Sequence, residues 1–143
     1  MSHPRPRDRG SVSVELAIVT PAFLMLIVLA TMVGRVAVAH TAVAVAAHDA
    51  ARAASISRDA ATADRRAGEA ARTALADQDL ACEELRVDPD TSQFARPAGE
   101  PASVTVTISC RVSMSDIAIL PFVDGRWVTA TFVSPIDTWR GRS

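Results

Sequence analysis

Glu15 is the side chain whose surroundings hold it at the greatest cost. It heads a run of 19 residues without a charge, Leu16 to Gly34. A carboxylate at the edge of such a run is either tolerated in a polar layer beside the positive end of a helix or carries a function. The other candidates for chemistry are sparse. Cys82 and Cys110 are the only cysteines. Two thiols cannot build a four-thiolate zinc site, and no histidine stands beside them at metal-motif spacing. Outside the cytoplasm their default is a disulfide, which by closing a loop of about 28 residues would stabilise the fold by roughly 3.6 kcal/mol. The alternative is two buried free thiols. His40 and His48 are eight apart, more than about 10 Å along a helix, too far to share one ion. Asp88 and Asp90 look like a fragment of a calcium loop whose other ligands are missing. There is no glycine-rich phosphate loop, no His-Glu-x-x-His and no Gly-x-Ser-x-Gly. The chain is expected to be no enzyme, with no catalytic residue, no cofactor and no metal.

The element that positions Glu15 is the apolar run itself. About 20 apolar residues at ~1.5 Å each cross a ~30 Å hydrocarbon layer. Thr20, Pro21 and Thr31 interrupt the run only in ways a spanning helix tolerates. Pro21 removes one helix hydrogen bond and is expected to kink the helix mildly. The leader Met1–Arg9 holds Arg5, Arg7 and Arg9 against Asp8, which places it in the cytoplasm by the positive-inside rule and the rest of the chain outside. A secretory signal peptide competes with this reading, because Ala37-Val38-Ala39 is a small-x-small site. Cleavage after Ala39 would release a soluble binding module. A signal h-region is, however, only 7–15 residues long and is not headed by a glutamate.

The whole chain has 143 residues and a net charge of −1. Beyond the leader and span, roughly 100 residues remain, enough for one small domain with a modest core. The charge balance and the lack of interleaved aromatics exclude a nucleic-acid partner. Every basic residue is Arg.

After the span the helix is expected to continue through an alanine-rich stretch to Ala54. Val36, Val43, Ala47, Ala50 and Ala54 form a thin apolar stripe on it. Ser55-Ile56-Ser57 should interrupt, with Ser57 as N-cap of a second helix from about Arg58 to Asp77. Its apolar face would be Ala60, Ala63, Ala67, Ala71, Ala74 and Leu75, and Arg65 and Glu69 can pair weakly across one turn. The pattern then changes to strands. Glu84–Val87 is a short strand, and Asp88–Ala102, with Pro89, Pro97, Gly99 and Pro101, reads as an exposed loop. From Ser103 to Met114 apolar and polar residues alternate, which describes a half-buried strand with Cys110 on its apolar face. Ile117–Val123 is apolar, and Pro121 argues against a central strand there. Asp124-Gly125 signals a turn, Arg126–Ser134 is the last strand, Pro135 ends it, and Thr138–Ser143 is a basic tail.

Around Glu15, the order of basic leader, Gly10, four residues, Glu15 and apolar helix resembles the type IV prepilin signal. The resemblance implies cutting by a prepilin-type peptidase between Gly10 and Ser11. It also implies that Glu15 is the assembly carboxylate, paired with the new amine of a neighbouring subunit, since two charges in an apolar layer are less costly together than apart. More narrowly, Glu15-Leu16-Ala17-Ile18-Val19-Thr20-Pro21 and the apolar run after it resemble the start of TadE-like proteins, the minor pseudopilins of tight-adherence (Flp) pilus assembly. Ala46-Ala47-His48-Asp49-Ala50-Ala51-Arg52-Ala53-Ala54 is similar to that family's alanine-rich helix, and Phe132-Val133-Ser134-Pro135-Ile136-Asp137 to its C-terminal strand. Leu16 departs from the aromatic residue that often follows the glutamate.

The expectation is an α+β protein: a long N-terminal transmembrane helix continuing into an alanine-rich helix, a second helix, then a small antiparallel sheet of about three strands. Its parts are a cytoplasmic leader (residues 1–10), a transmembrane helix (11–35), extracytoplasmic helices (36–77) and a small β-rich domain (78–143). The resemblance implies a single pass through the bacterial cytoplasmic membrane. Its partners would be membrane lipid, other pilin-like subunits, pilus assembly proteins and the peptidase. A plain single-pass membrane protein, uncut at either site, is a third reading.

Overall fold

The architecture follows from where the chain changes from large apolar residues to alanine and then to alternating β-formers. A computed structural model describes residues 11–113 and 125–137. The elements are α1 (Ser11–Ser55), α2 (Ala60–Asp77), β1 (Cys82–Asp90), a 3₁₀ turn (Ser92–Ala95), β2 (Ala102–Val112) and β3 (Arg126–Ile136). This is the expected α+β order, with a three-stranded antiparallel sheet in the order β1-β2-β3. The chain divides into two compact units, Met1–Val36 and Ala37–Ser143.

In the first unit α1 runs through Pro21 as one helix. The hydroxyl of Thr20 donates to the carbonyl of Leu16 at 2.7 Å and that of Thr31 to Val28 at 2.8 Å, so neither polar group needs an outside partner. The large side chains here stay outward: Leu16, Ile18, Phe23, Met25 and Leu29 are all exposed.

In the second unit a stripe of small residues on α1 is buried: Ala39, Val43, Ala46, Ala47, Ala50, Ala51 and Ala54. The spacing is the helical one, but the stripe is wider than the expected line, and Val36 is only half-buried. α2 contributes Ala63, Ala67, Ala71, Ala74 and Leu75, as its periodicity predicts. Both helices join one core with Val104, Val106, Ile108 and Cys110 of β2. α1 meets β3 through His48, whose ring lies edge-on to Phe132 at 4.6 Å, and through a buried bond from the Ser134 hydroxyl to that of Ser55 at 3.0 Å.

Several boundaries differ from expectation. Ser57 does not cap α2; its hydroxyl turns back to the carbonyl of Ala53, and Ser55 does the same to Arg52, which ends α1. The cap is Asp59, which accepts from the Thr62 amide at 2.8 Å and the Thr62 hydroxyl at 2.9 Å. Arg65 donates to Thr62 rather than to Glu69. α2 ends in a left-handed residue, Asp79 (φ 52), where the Leu80 amide reaches back to the Leu75 carbonyl and the Asp79 amide to that of Ala76. β1 is longer than the short strand read from the sequence, and continues through Pro89 because an edge strand has no outer partner to lose. For the same reason Pro135 lies within β3 instead of ending it. The proline-rich connection is not simply an exposed loop: Phe94 is buried, and Gln93 accepts from the Ser103 amide at 2.9 Å. The readings of Ile117–Val123, Asp124 and the Thr138–Ser143 tail lie outside the described residues.

Two tests follow from this packing. Ala50→Leu forces extra volume into a fully buried site and should destabilise by about 1–3 kcal/mol in thermal unfolding, whereas Ala44→Leu, on the exposed face, should change little. The Thr62 amide and then its hydroxyl hold the Asp59 carboxyl below the usual aspartate range. A lowered folded pKa contributes stability above the unfolded value of about 3.9, and this is lost as pH falls below it. An acid titration of the melting temperature should show that loss, and Asp59→Ala should flatten it.

Candidate functional site

The residues that the sequence singles out fall in two separate places. Gly10 lies outside the described residues, and Ser11 is the first residue of α1. Glu15 sits one turn into α1 on an exposed position at the head of the apolar surface. The helix is long and apolar enough to cross a membrane, and none of its most apolar window is buried. So large an apolar surface calls for lipid or a partner around it.

Cys82 and Cys110 are joined, with Cα atoms 5.4 Å apart. The left-handed turn at Asp79 directs the chain from α2 into β1, and Cys110 is fully buried near the end of β2, the central strand. The bond therefore pins the start of β1 to the core. That strand needs the support, since none of its residues is fully buried. Among the described residues no group of three or more His, Cys, Asp or Glu could hold a metal ion. His40 is exposed, and the imidazole of His48 lies 3.1 Å from the Asp49 carboxylate and against Phe132. Asp90 accepts from the hydroxyl and amide of Ser92, which lowers its pKa and makes it part of a turn, and Asp64 of α2 accepts from the Thr91 hydroxyl at 3.1 Å.

The outer face of the sheet carries contacts that the sequence did not reveal. Arg86 binds Glu84 at 2.6 and 2.9 Å and places its guanidinium 4.8 Å from the Trp127 ring. The hydroxyl pairs Thr107–Thr131 and Ser109–Thr129 bridge β2 and β3 at 2.9 and 3.0 Å. Arg111 and Glu83 form an ion pair at 3.4 Å without hydrogen-bond geometry. A Cβ at Gly125 would meet the Glu83 carboxylate at 2.8 Å and Arg111 Nε at 3.0 Å, so glycine lets β3 start this close. All these pairs depend on strand register, which alternation alone does not fix.

What the geometry defines is a protein with one exposed apolar N-terminal helix and a small disulfide-pinned α+β domain. The family model for TadE-like protein matches residues 10–52, from Gly10 through the apolar run to Arg52. This stretch of the chain is TadE-like and points to a component of a tight-adherence pilus. The ending Phe132–Asp137, likened above to the same family, lies beyond the matched residues. Comparison with curated proteins and with solved structures returned no match.

Intact mass under non-reducing and reducing conditions should differ by two hydrogen atoms. Replacing both cysteines by serine should cost roughly 3–4 kcal/mol of stability, read as an earlier thermal transition.

Proposed function

We propose that the protein is a non-enzymatic, membrane-anchored pseudopilin-like component of tight-adherence pilus assembly. The observation that carries this reading is that the TadE-like match, residues 10–52, takes in the whole exposed apolar stretch of α1 together with Glu15 at its head. The basic leader faces the cytoplasm, a prepilin-type peptidase cuts between Gly10 and Ser11, and the domain faces outward. Glu15 then pairs with the Ser11 amine of a neighbouring pilin-like subunit, which lowers the cost of holding either charge in the apolar layer. Lipid holds the subunit until assembly, and the sheet offers a recognition surface. No nucleic acid and no catalytic group takes part.

Release by signal peptidase after Ala39 is the competing route. Against it stands the position of Ala39 itself, buried within an unbroken helix that supplies the core of the second unit. The N-terminus of the protein from its native membrane tests both. A start at Ser11 is expected; a start at His40 in the soluble fraction would replace this reading with a secreted module. Glu15→Ala should remain in the membrane but fail to enter the pilus apparatus, and normal incorporation would refute the role of the carboxylate.

A further inference from the structure

The two sulfurs of the disulfide have unlike surroundings. Cys110 lies on the central strand, paired with Leu85 of β1 on one side and Val128 of β3 on the other, and it is fully buried. It belongs to the same core as the alanines of α1 and α2. Cys82 starts an edge strand. It is partly exposed, its neighbours Ala81 and Glu83 are exposed, and the pairing with β2 shifts register between Cys82 and Glu84.

An open recess gives room at the same residue. Cys82 lines a cavity of about 450 Å³ together with Leu75, Leu80 and Leu85, and Cys110 takes no part in its wall. The charged groups at that wall are Arg72 and Asp79, one of each sign, so the recess favours neither an anionic nor a cationic reagent. Thiol–disulfide exchange needs a thiolate to reach one particular sulfur, so access decides which sulfur reacts. Around Cys110 the protein itself fills the space such a reagent would need.

We propose that Cys82 is the thiol–disulfide exchange site of this chain, with a small organic disulfide, R–S–S–R, as its oxidant, and that Cys110 reacts only with Cys82. In the reduced chain the Cys82 thiolate attacks R–S–S–R, which forms the Cys82–S–S–R bond and releases RS⁻. The Cys110 thiolate then attacks Cys82 Sγ, the bond from Cys82 to SR breaks, and a second RS⁻ leaves. Two electrons pass from the protein to R–S–S–R, and the two thiolates formed take up the two protons the cysteines gave up. Reduction runs through the same steps in reverse: an outside thiolate enters at Cys82 and Cys110 is expelled. A thiolate left in an apolar core is costly, so this direction also needs the start of β1 to lift. No residue of β1 is fully buried, which lets that opening stay local.

The test uses the full chain in detergent micelles. Reduced Cys110→Ala should form a mixed disulfide with oxidised glutathione at least about tenfold faster than reduced Cys82→Ala. In denaturant the two variants should react at similar rates, which separates burial from the intrinsic reactivity of each thiol. Wild type covers the case in which a variant unfolds. It is treated briefly with excess reduced glutathione, quenched with acid and alkylated in denaturant. Peptide masses should then place glutathione on Cys82 and the alkyl group on Cys110, by at least about tenfold over the reverse. Equal rates for the two folded variants, a difference that persists in denaturant, or glutathione on Cys110 of folded wild type would each overturn the proposal.

Discussion

The second unit is built under the constraint that alanine buries little area, so its helices must bury many of them to hold a core. Ala46, Ala47, Ala50 and Ala51 of α1 and Ala63, Ala67 and Ala71 of α2 are all fully buried in the core that Val104, Val106 and Ile108 of β2 also enter. Each alanine removes little area from water, and the width of the buried stripe offsets that loss. The disulfide belongs to the same logic. β1 has no fully buried residue, so a covalent tie to Cys110 replaces packing that the strand does not make.

Much of this was legible in the sequence because it is periodic. The face Ala63, Ala67, Ala71, Ala74 and Leu75 is read directly from 3.6-residue spacing, and β2 from strict alternation. The ends of elements were less legible, because several groups compete to end a helix. Ser57 and Asp59 both suit a cap; the carboxylate took two donors from Thr62 while the serine was satisfied by its own preceding turn. Prolines were read as breakers, and Pro89 and Pro135 are not, since both lie on outer strands. That fact depends on strand order, which no local pattern contains.

The candidate site was legible in part and for a different reason. Glu15 announces itself through cost: a carboxylate before 19 uncharged residues needs an explanation whatever the fold. The pairs Arg86–Trp127 and Glu83–Arg111 bring together residues 41 and 28 positions apart (127 − 86 and 111 − 83), which have no reason to be linked until the register is known. Gly125 carried a faint signal as a turn residue, but its actual service is to clear space for that ion pair.

Composition along α1 changes where its surroundings change. Before Gly34 large apolar residues such as Leu, Ile, Met and Phe recur and most are exposed; beyond Val36 alanine dominates and one face is buried. In lipid, large residues maximise apolar contact and there is no sheet to approach. Against a sheet, large residues on a central helix would hold it off and leave voids. The same helical backbone can meet both demands only if the residue size changes where the surroundings change, and it does so within a few residues of Gly34. A change in side-chain size that suits the first part is therefore harmful in the second, and the reverse holds as well.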